Sequence, residues 1–272
     1  MHFLKIVWEP STGIDLGFLT LHYYSLMFVV AFILGWFLMK KIYQREGLSM
    51  DKLDSIFIYT VVATLIGARL GHVFFYDWEY FQHHPREIFL PFKLSPEFEF
   101  TGFRGLASHG AAIGIIVAVY LYSKKVVKKP MLWVLDRVVI PVASGAVFIR
   151  IGNFFNSEIV GKPTGTDYGV VFAALDEDFA RYPTQIYESI GYLIVFIILW
   201  YIYWKTDKRK QLGFIFGVFL VLLWLVRFIV EFLKENQVAF EDGMALNMGQ
   251  WLSIPFIIFG FYLIFRTKKQ TV

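Results

Sequence analysis

Residues 212–233 read Leu212-Gly-Phe-Ile-Phe-Gly-Val-Phe-Leu-Val-Leu-Leu-Trp-Leu-Val-Arg227-Phe-Ile-Val-Glu231-Phe-Leu233, and only Arg227 and Glu231 among them carry charge. A helix rises about 1.5 Å per residue, so a run of ~20 mostly apolar residues spans a hydrocarbon core of about 30 Å. Six further stretches meet the same requirement: 18–39, 54–76, 107–123, 131–152, 186–204 and 249–265. Composition agrees, with 57% apolar and 19% aromatic residues in 272 and a mean hydropathy of +0.56, where soluble domains are about half apolar. The expectation is an all-α polytopic membrane protein of seven transmembrane helices. It forms a single integral membrane domain over 1–272, with small extra-membrane segments at 77–106 and 153–185.

Basic residues set the expected orientation, because they accumulate in cytoplasmic loops. Lys40, Lys41, Arg45 and Lys52 follow the first span, Lys124, Lys125, Lys128 and Lys129 the third, Lys205, Lys208, Arg209 and Lys210 the fifth, and Arg266, Lys268 and Lys269 the last. The other connections hold only Lys5, Arg86, Lys93, Arg104, Lys162, Arg181 and Lys234. The N-terminus is expected outside, on the periplasmic side, and the C-terminus in the cytoplasm. The net charge of +4 then reports orientation, and no nucleic-acid partner is expected. The first apolar run is long and lacks a small-residue cleavage site, so it is expected to remain as a span. Cysteine is absent, which removes disulfides, thiolate metal sites and a nucleophilic cysteine of the chain's own.

Against this background residues 149–161, Ile-Arg-Ile-Gly-Asn-Phe-Phe-Asn-Ser-Glu-Ile-Val-Gly, put Arg150, Asn153, Asn156 and Glu158 at the end of an apolar segment. A charge at bilayer depth costs roughly 2.5–3.5 kcal/mol on insertion scales and marks a functional-site hypothesis. Other intramembrane polar residues fall on the same expected outer side: Tyr24, Arg69, His72, His109, Gln185, Tyr187, Glu188, Arg227, Glu231 and Gln250. Asp136 and Arg137 are the exception, at the cytoplasmic end of the fourth span. An outward-opening cavity lined by arginine, histidine, amide and carboxylate suits an amphiphile with an anionic head, and the planar arginine fork can hold a phosphate through two hydrogen bonds.

Each feature also has a plainer reading. Arg227 and Glu231, at i, i+4 on one helix face, can neutralise each other. His109 can be an interfacial histidine bonded to a carbonyl, and Gly67-Ala68-Arg69-Leu70-Gly71 a small-residue helix contact with a snorkelling arginine. Arg69-Leu-Gly-His-Val-Phe-Phe weakly echoes Arg150-Ile-Gly-Asn-Phe-Phe, a match short enough to arise by chance.

The 150–161 segment resembles the signature of the bacterial prolipoprotein diacylglyceryl transferases at Arg150, Gly152, Asn153, Phe154, Asn156, Glu158 and Gly161. The likeness extends to Tyr24-Ser25-Leu26-Met27, Gly67 to Gly71, His84-Pro85, His109-Gly110, Asp136, Tyr182 to Glu188, Arg227-Phe228, Glu231-Phe232, Gly249-Gln250 and Ser253 to Pro255. Ile149, Ala111-Ala112 and Ser25 depart from common family residues without removing a polar group, and 162–181 is shorter than in some relatives. The resemblance implies transfer of the diacylglyceryl group of phosphatidylglycerol to the lipobox cysteine thiol of a prolipoprotein signal peptide. A thioether forms and glycerol phosphate leaves, at a site facing the outer leaflet of the bacterial inner membrane.

For that reaction Arg150 and Arg227 are expected to clamp the phosphate. Asn153 and Glu158 fix the head group and the arginine geometry, while Arg69, Tyr24 and Gln185 extend the polar wall. Gly152, Asn156 and Gly161 are structural in the motif. Histidine, with an ordinary pKa of about 6.5, makes His109 the first candidate for general base and Glu231 the second. No metal and no cofactor are expected. A transporter or scramblase of an anionic lipid is the alternative, but it would want polar residues across the whole depth.

Overall fold

The computed structural model describes residues 6–11, 13–17, 20–90, 92–93, 99–100, 105, 107–236, 241, 243–266 and 268–269. Residues 18–19 of the first expected span, 91, 94–98, 101–104 and 106 of the expected outer segment, and Lys5 lie outside these. Seven helices among the described residues are long and apolar enough to cross a membrane. They are α1 (Tyr23–Arg45), α2 (Met50–Phe75), α4 (Ser108–Tyr122, continued by a π-helical turn over Ser123–Val127), α5 (Met131–Phe155), α6 (Thr184–Lys205), α7 (Phe214–Glu231) and α8 (Met248–Phe265), with a one-turn α3 (Trp78–Phe81) after α2.

Several ends differ from expectation, the first helix running on to Arg45 and the second starting at Met50, and two of the differences have evident local reasons. The first helix starts at Tyr23 rather than 18, because Thr20–His22 is extended and pairs antiparallel with Gly13–Asp15. α5 runs to Phe155, three residues past the expected 152, so Asn153 is helical and shares a face with Arg150 one turn earlier.

The chain divides into two compact units, Ile42–Val134 and the remainder, Met1–Lys41 with Leu135–Val272. In the first, α2 and α4 touch through glycines. A Cβ on Gly71 would lie 2.7 Å from Gly110 Cα, and one on Gly114 would lie 3.3 Å from Gly67 Cα. Small residues of this kind let membrane helices approach where hydrophobicity alone supplies no drive. Tyr43 and Tyr122 hydroxyls meet at 2.8 Å in the buried part of this unit.

In the second unit, α7 and α8 approach through Gly217 and Gly260 and stack Trp224 on Phe256 at 4.3 Å. Asp136 of α5, fully buried, accepts the backbone N–H groups of Gly213 (2.7 Å) and Phe216 (2.9 Å), capping α7 from another helix. Outside the helices, Ile6–Trp8 pairs in parallel with Val170–Phe172, and the Trp8 indole donates to Phe154 O at 3.0 Å, the end of α5. Ile33, Ile116, Ile197 and Ile258 are exposed on the helix sides, as lipid contact requires and water would not favour.

Candidate functional site

The site grows from the last turn of α5. Arg150 Nη1 donates to Asn153 Oδ1 at 2.9 Å, and Asn153 Nδ2 donates to Glu158 Oε1 at 2.6 Å. Glu158 lies past the helix end between Ser157 (φ 52) and Ile159 (φ 57). Positive φ is costly for a β-branched residue, and such strain persists only where neighbours over-determine the backbone. They do so here. Glu158 N donates to Asn153 O (3.1 Å) and Gly161 N to Tyr182 O (3.1 Å); Gln185 Nε2 donates to Glu158 O at 2.7 Å and Thr184 Oγ1 to Ile159 O at 3.1 Å.

The motif glycines have steric reasons. A Cβ on Gly161 would lie 2.7 Å from Tyr182 Cβ and 2.9 Å from Thr184 Cγ2; one on Gly152 would lie 2.8 Å from the Tyr24 ring, which sits against this turn of α5. Asn156 is exposed, and its N–H closes the last turn onto Gly152 O at 3.0 Å.

From Arg150 a chain of alternating charge crosses to α6 and α7. Arg150 Nε stands 2.7 Å from Glu188 Oε2. Lys234 Nζ donates to Glu188 Oε1 (2.9 Å) and to Glu231 Oε2 (3.0 Å). Arg227 Nε ends the chain 3.9 Å from Glu231 Oε2. Tyr192 OH reaches Glu188 Oε1 at 3.4 Å. Asn247, which caps α8 reciprocally with Gln250, holds Glu231 Oε1 at 3.4 Å. Glu188 is 0% and Lys234 2% exposed. Ions so buried lose several kcal/mol each of hydration and are tolerated because opposite charges face them. Three cations, Arg150, Lys234 and Arg227, meet two carboxylates, Glu188 and Glu231, and an arginine stands at each end of the chain, the Arg150 end joined through Asn153 to a third carboxylate, Glu158.

Arg150, Asn153, Glu158, Gln185 and Tyr24 are thus gathered in this unit with Arg227 and Glu231. The expected i, i+4 neutralisation of Glu231 by Arg227 is the longest ion pair of the group, because Lys234, at i+3, holds the carboxylate more closely. Lys234, read from sequence as a loop lysine, is a buried member, and Glu188 and Tyr192 are members that no role was assigned to. The i, i+3 spacing of Glu231 and Lys234 was a usable signal; the pairing of Arg150 with Glu188 had none.

Arg69 and His109 belong to the other unit. The Arg69 guanidinium donates from Nε to Ile88 O at 2.6 Å and from Nη2 to Glu87 O at 3.0 Å, over the Phe81 ring at 4.8 Å. His109 is exposed in the first turn of α4. Nearby, the hydrogen bond from Tyr80 OH to Glu87 Oε2, 2.6 Å, pushes the phenol up to about 12.

Between α5 and α6, Arg181 is held by Glu177 (Nη2 to Oε1 2.6 Å) and Glu235 (Nη1 to Oε2 2.6 Å). The Arg181 hydrogen bonds hold the Glu177 carboxyl below its ordinary value, and the same contact raises Arg181. Among the described residues no three His, Asp or Glu side chains group as ligands for a metal ion.

A family model described as prolipoprotein diacylglyceryl transferase matches residues 12–266. The phosphatidylglycerol–prolipoprotein diacylglyceryl transferase of Chloroherpeton thalassium is 41% identical over 266 residues, covering 97% of this chain and 95% of its own. That of Tolumonas auensis is 40% identical over 257 residues (94% and 95%), and that of Bacteroides fragilis 41% over 273 residues (99% and 98%).

Proposed function

The chain belongs to the prolipoprotein diacylglyceryl transferase family, and on that footing we propose how its buried charges serve the reaction. It is a membrane transferase that moves a diacylglyceryl group from phosphatidylglycerol to prolipoproteins, the first step of lipoprotein maturation. In our reading the thiol of the lipobox cysteine in the signal peptide is the nucleophile. Its sulfur attacks the glycerol carbon that bears the phosphate, the carbon–oxygen bond breaks, and glycerol phosphate departs with the electron pair. The thiol proton passes to a base. Catalysis therefore has two tasks: to raise thiolate character and to stabilise charge on the leaving phosphate.

The observation that carries the second task is the charge chain with its arginine ends. Arg150 and Arg227 clamp the phosphate. Arg150 is aimed by Asn153 and by Glu188, which fixes Nε while Nη1 rests on Asn153. Glu158, held through Asn153, and Gln185, which pins the Glu158 carbonyl, shape the end that receives the head-group glycerol. Tyr24 packs on Gly152 as part of that wall. Gly152, Asn156 and Gly161 build the turn rather than touch lipid. Arg69 acts by holding the 85–90 segment through its carbonyls.

His109 is the proposed base, because its ring is exposed whereas the Glu231 carboxylate is engaged by Lys234 and Asn247; Glu231 is second. The whole chain acts as one integral membrane domain of the bacterial inner membrane. Its N-terminus is periplasmic and its C-terminus cytoplasmic, with the charged helix ends toward the outer leaflet, as the basic loops favour. A transport function is not favoured. Incubating the protein with phosphatidylglycerol vesicles and a lipobox peptide, then weighing the peptide, tests the reading. A diacylglyceryl mass increment is expected on the cysteine peptide, with none on its serine counterpart. An increment on both would remove the thiol as nucleophile.

A further inference from the structure

Lys234 lies in the turn after α7, and the backbone places it. Lys162 N donates to Leu233 O (2.8 Å), Glu235 N to Val160 O (3.2 Å) and Lys234 N to Glu231 O (3.2 Å), while Gly161 and Lys234 form an antiparallel bridge. The ammonium is thereby fixed between Glu188 and Glu231 rather than left at the end of a free stem. A compact ammonium with three donors suits two carboxylates at once.

Arg227 stands one turn before Glu231, where an arginine and a glutamate ordinarily close a pair. Here the pair is long, 3.9 Å from Nε to Oε2, with no hydrogen bond. Arg227 Nε has no hydrogen-bond partner among the described residues. Its guanidinium lies over the Trp224 ring at 5.3 Å, and its side chain is 32% exposed. Glu231 is already taken, by Lys234 on Oε2 and Asn247 on Oε1. The carboxylate is also confined from behind, since a Cβ on Gly249 would lie 2.5 Å from its Cδ.

We propose that Lys234 is a positioning residue: by occupying Glu231 it keeps Arg227 from collapsing onto that carboxylate, so that the arginine remains available to the phosphate of the donor lipid. This rests on the reading of Arg227 as one arm of the clamp. With Lys234 neutral, Glu231 becomes a buried carboxylate without its closest cation, and Arg227 is the nearest replacement. Closing that pair would spend the arginine and remove one arm from the lipid.

The test measures phosphatidylglycerol affinity without acceptor, so that no turnover intrudes, together with separate KM values for lipid and for a cysteine peptide. Lys234→Met is expected to weaken lipid affinity about tenfold while peptide KM stays within about twofold. Lys234→Arg, which keeps the cation, should stay within about threefold of wild type for lipid. Adding Glu231→Gln to Lys234→Met removes the competing carboxylate and should restore lipid affinity even if turnover remains low.

Wild-type lipid affinity in Lys234→Met overturns the proposal, as does a double variant no better than the single one. Arg227→Ala separates the two levels. If it loses lipid affinity while Lys234→Met does not, the clamp stands and the role of Lys234 fails; if Arg227→Ala binds lipid normally, the clamp itself fails. Should Lys234→Met not fold, Glu231→Gln alone decides. Affinity at or above wild type supports competition for Arg227, and a tenfold loss overturns it by showing that Arg227 depends on Glu231.

Discussion

In α2 the string Arg69-Leu-Gly-His-Val-Phe-Phe ends in a guanidinium bonded to backbone carbonyls of the segment that follows. In α5 the near-copy Arg150-Ile-Gly-Asn-Phe-Phe carries one held by side chains, hydrogen-bonded to Asn153 and ion-paired with Glu188. The two glycines differ as well: Gly71 faces the backbone of Gly110 most closely, whereas Gly152 faces side chains, the ring of Tyr24 and, at 3.5 Å, Met27 Cβ. An arginine that satisfies carbonyls holds a loop in place. One aimed by a carboxylate and an amide is, in the proposed clamp, oriented toward the lipid phosphate. The difference therefore lies in partner chemistry, which neighbouring helices supply and the string does not.

The strongest way to break this contrast is to remove each arginine. Arg150→Ala is expected to lower transfer to an acceptor peptide by about 10²–10³-fold, the usual loss for one donor to a developing oxyanion, with the folded protein retained. Residual transfer within a factor of two or three of wild type would undo its assignment. The glycines come next. Gly71→Ala should destabilise the α2–α4 contact by about 1–3 kcal/mol, because backbone cannot move aside cheaply; thermal unfolding in detergent reads this. Gly152→Ala should cost less, since the Tyr24 ring can turn, and equal losses would erase the distinction.

Arg69→Ala is expected to act on order rather than chemistry. Three carbonyls, of Glu87, Ile88 and Gly105, lose charged donors, about 1–3 kcal/mol each if no water replaces them, so hydrogen exchange in 85–90 should rise while transfer falls less than in Arg150→Ala. A transfer loss as deep as that of Arg150→Ala, without a change in exchange, would place Arg69 on the lipid instead.

The smallest effect concerns a third arginine, outside the spans. Because Arg181 lowers the folded-state pKa of Glu177, their contact favours the fold above the ordinary glutamate value of 4.5. That contribution is lost as pH falls from 4.5 through the lowered value. Hydrogen exchange over 161–182 should therefore increase modestly on acidification through that window, and Glu177→Gln should remove the dependence.

The spans were legible because length and apolarity alone decide whether a helix can cross a bilayer. Their ends were less so: the start of α1 depends on strand pairing between 13–15 and 20–22, which hydropathy does not report. Within the site, Arg150, Asn153 and Glu158 were readable together because they are close in sequence and share a helix end. Glu188 was visible only as one more polar residue, since its bond to Arg150 joins positions 38 apart. Lys234 was counted only as one of the basic residues of the connections, because charge counting treats every lysine after a span alike, whereas here the turn carries it back between carboxylates.

Asp136 lies fourteen residues before Arg150 in α5, about 21 Å along the axis, and Gly213, which it caps, lies the same number of residues before Arg227. The cap therefore acts as a common zero mark from which two equal lengths of helix are measured out, each delivering an arginine. Lengthening either helix by one residue between the mark and its arginine would turn that side chain by about 100° and spoil the match, however intact the site's own residues remained.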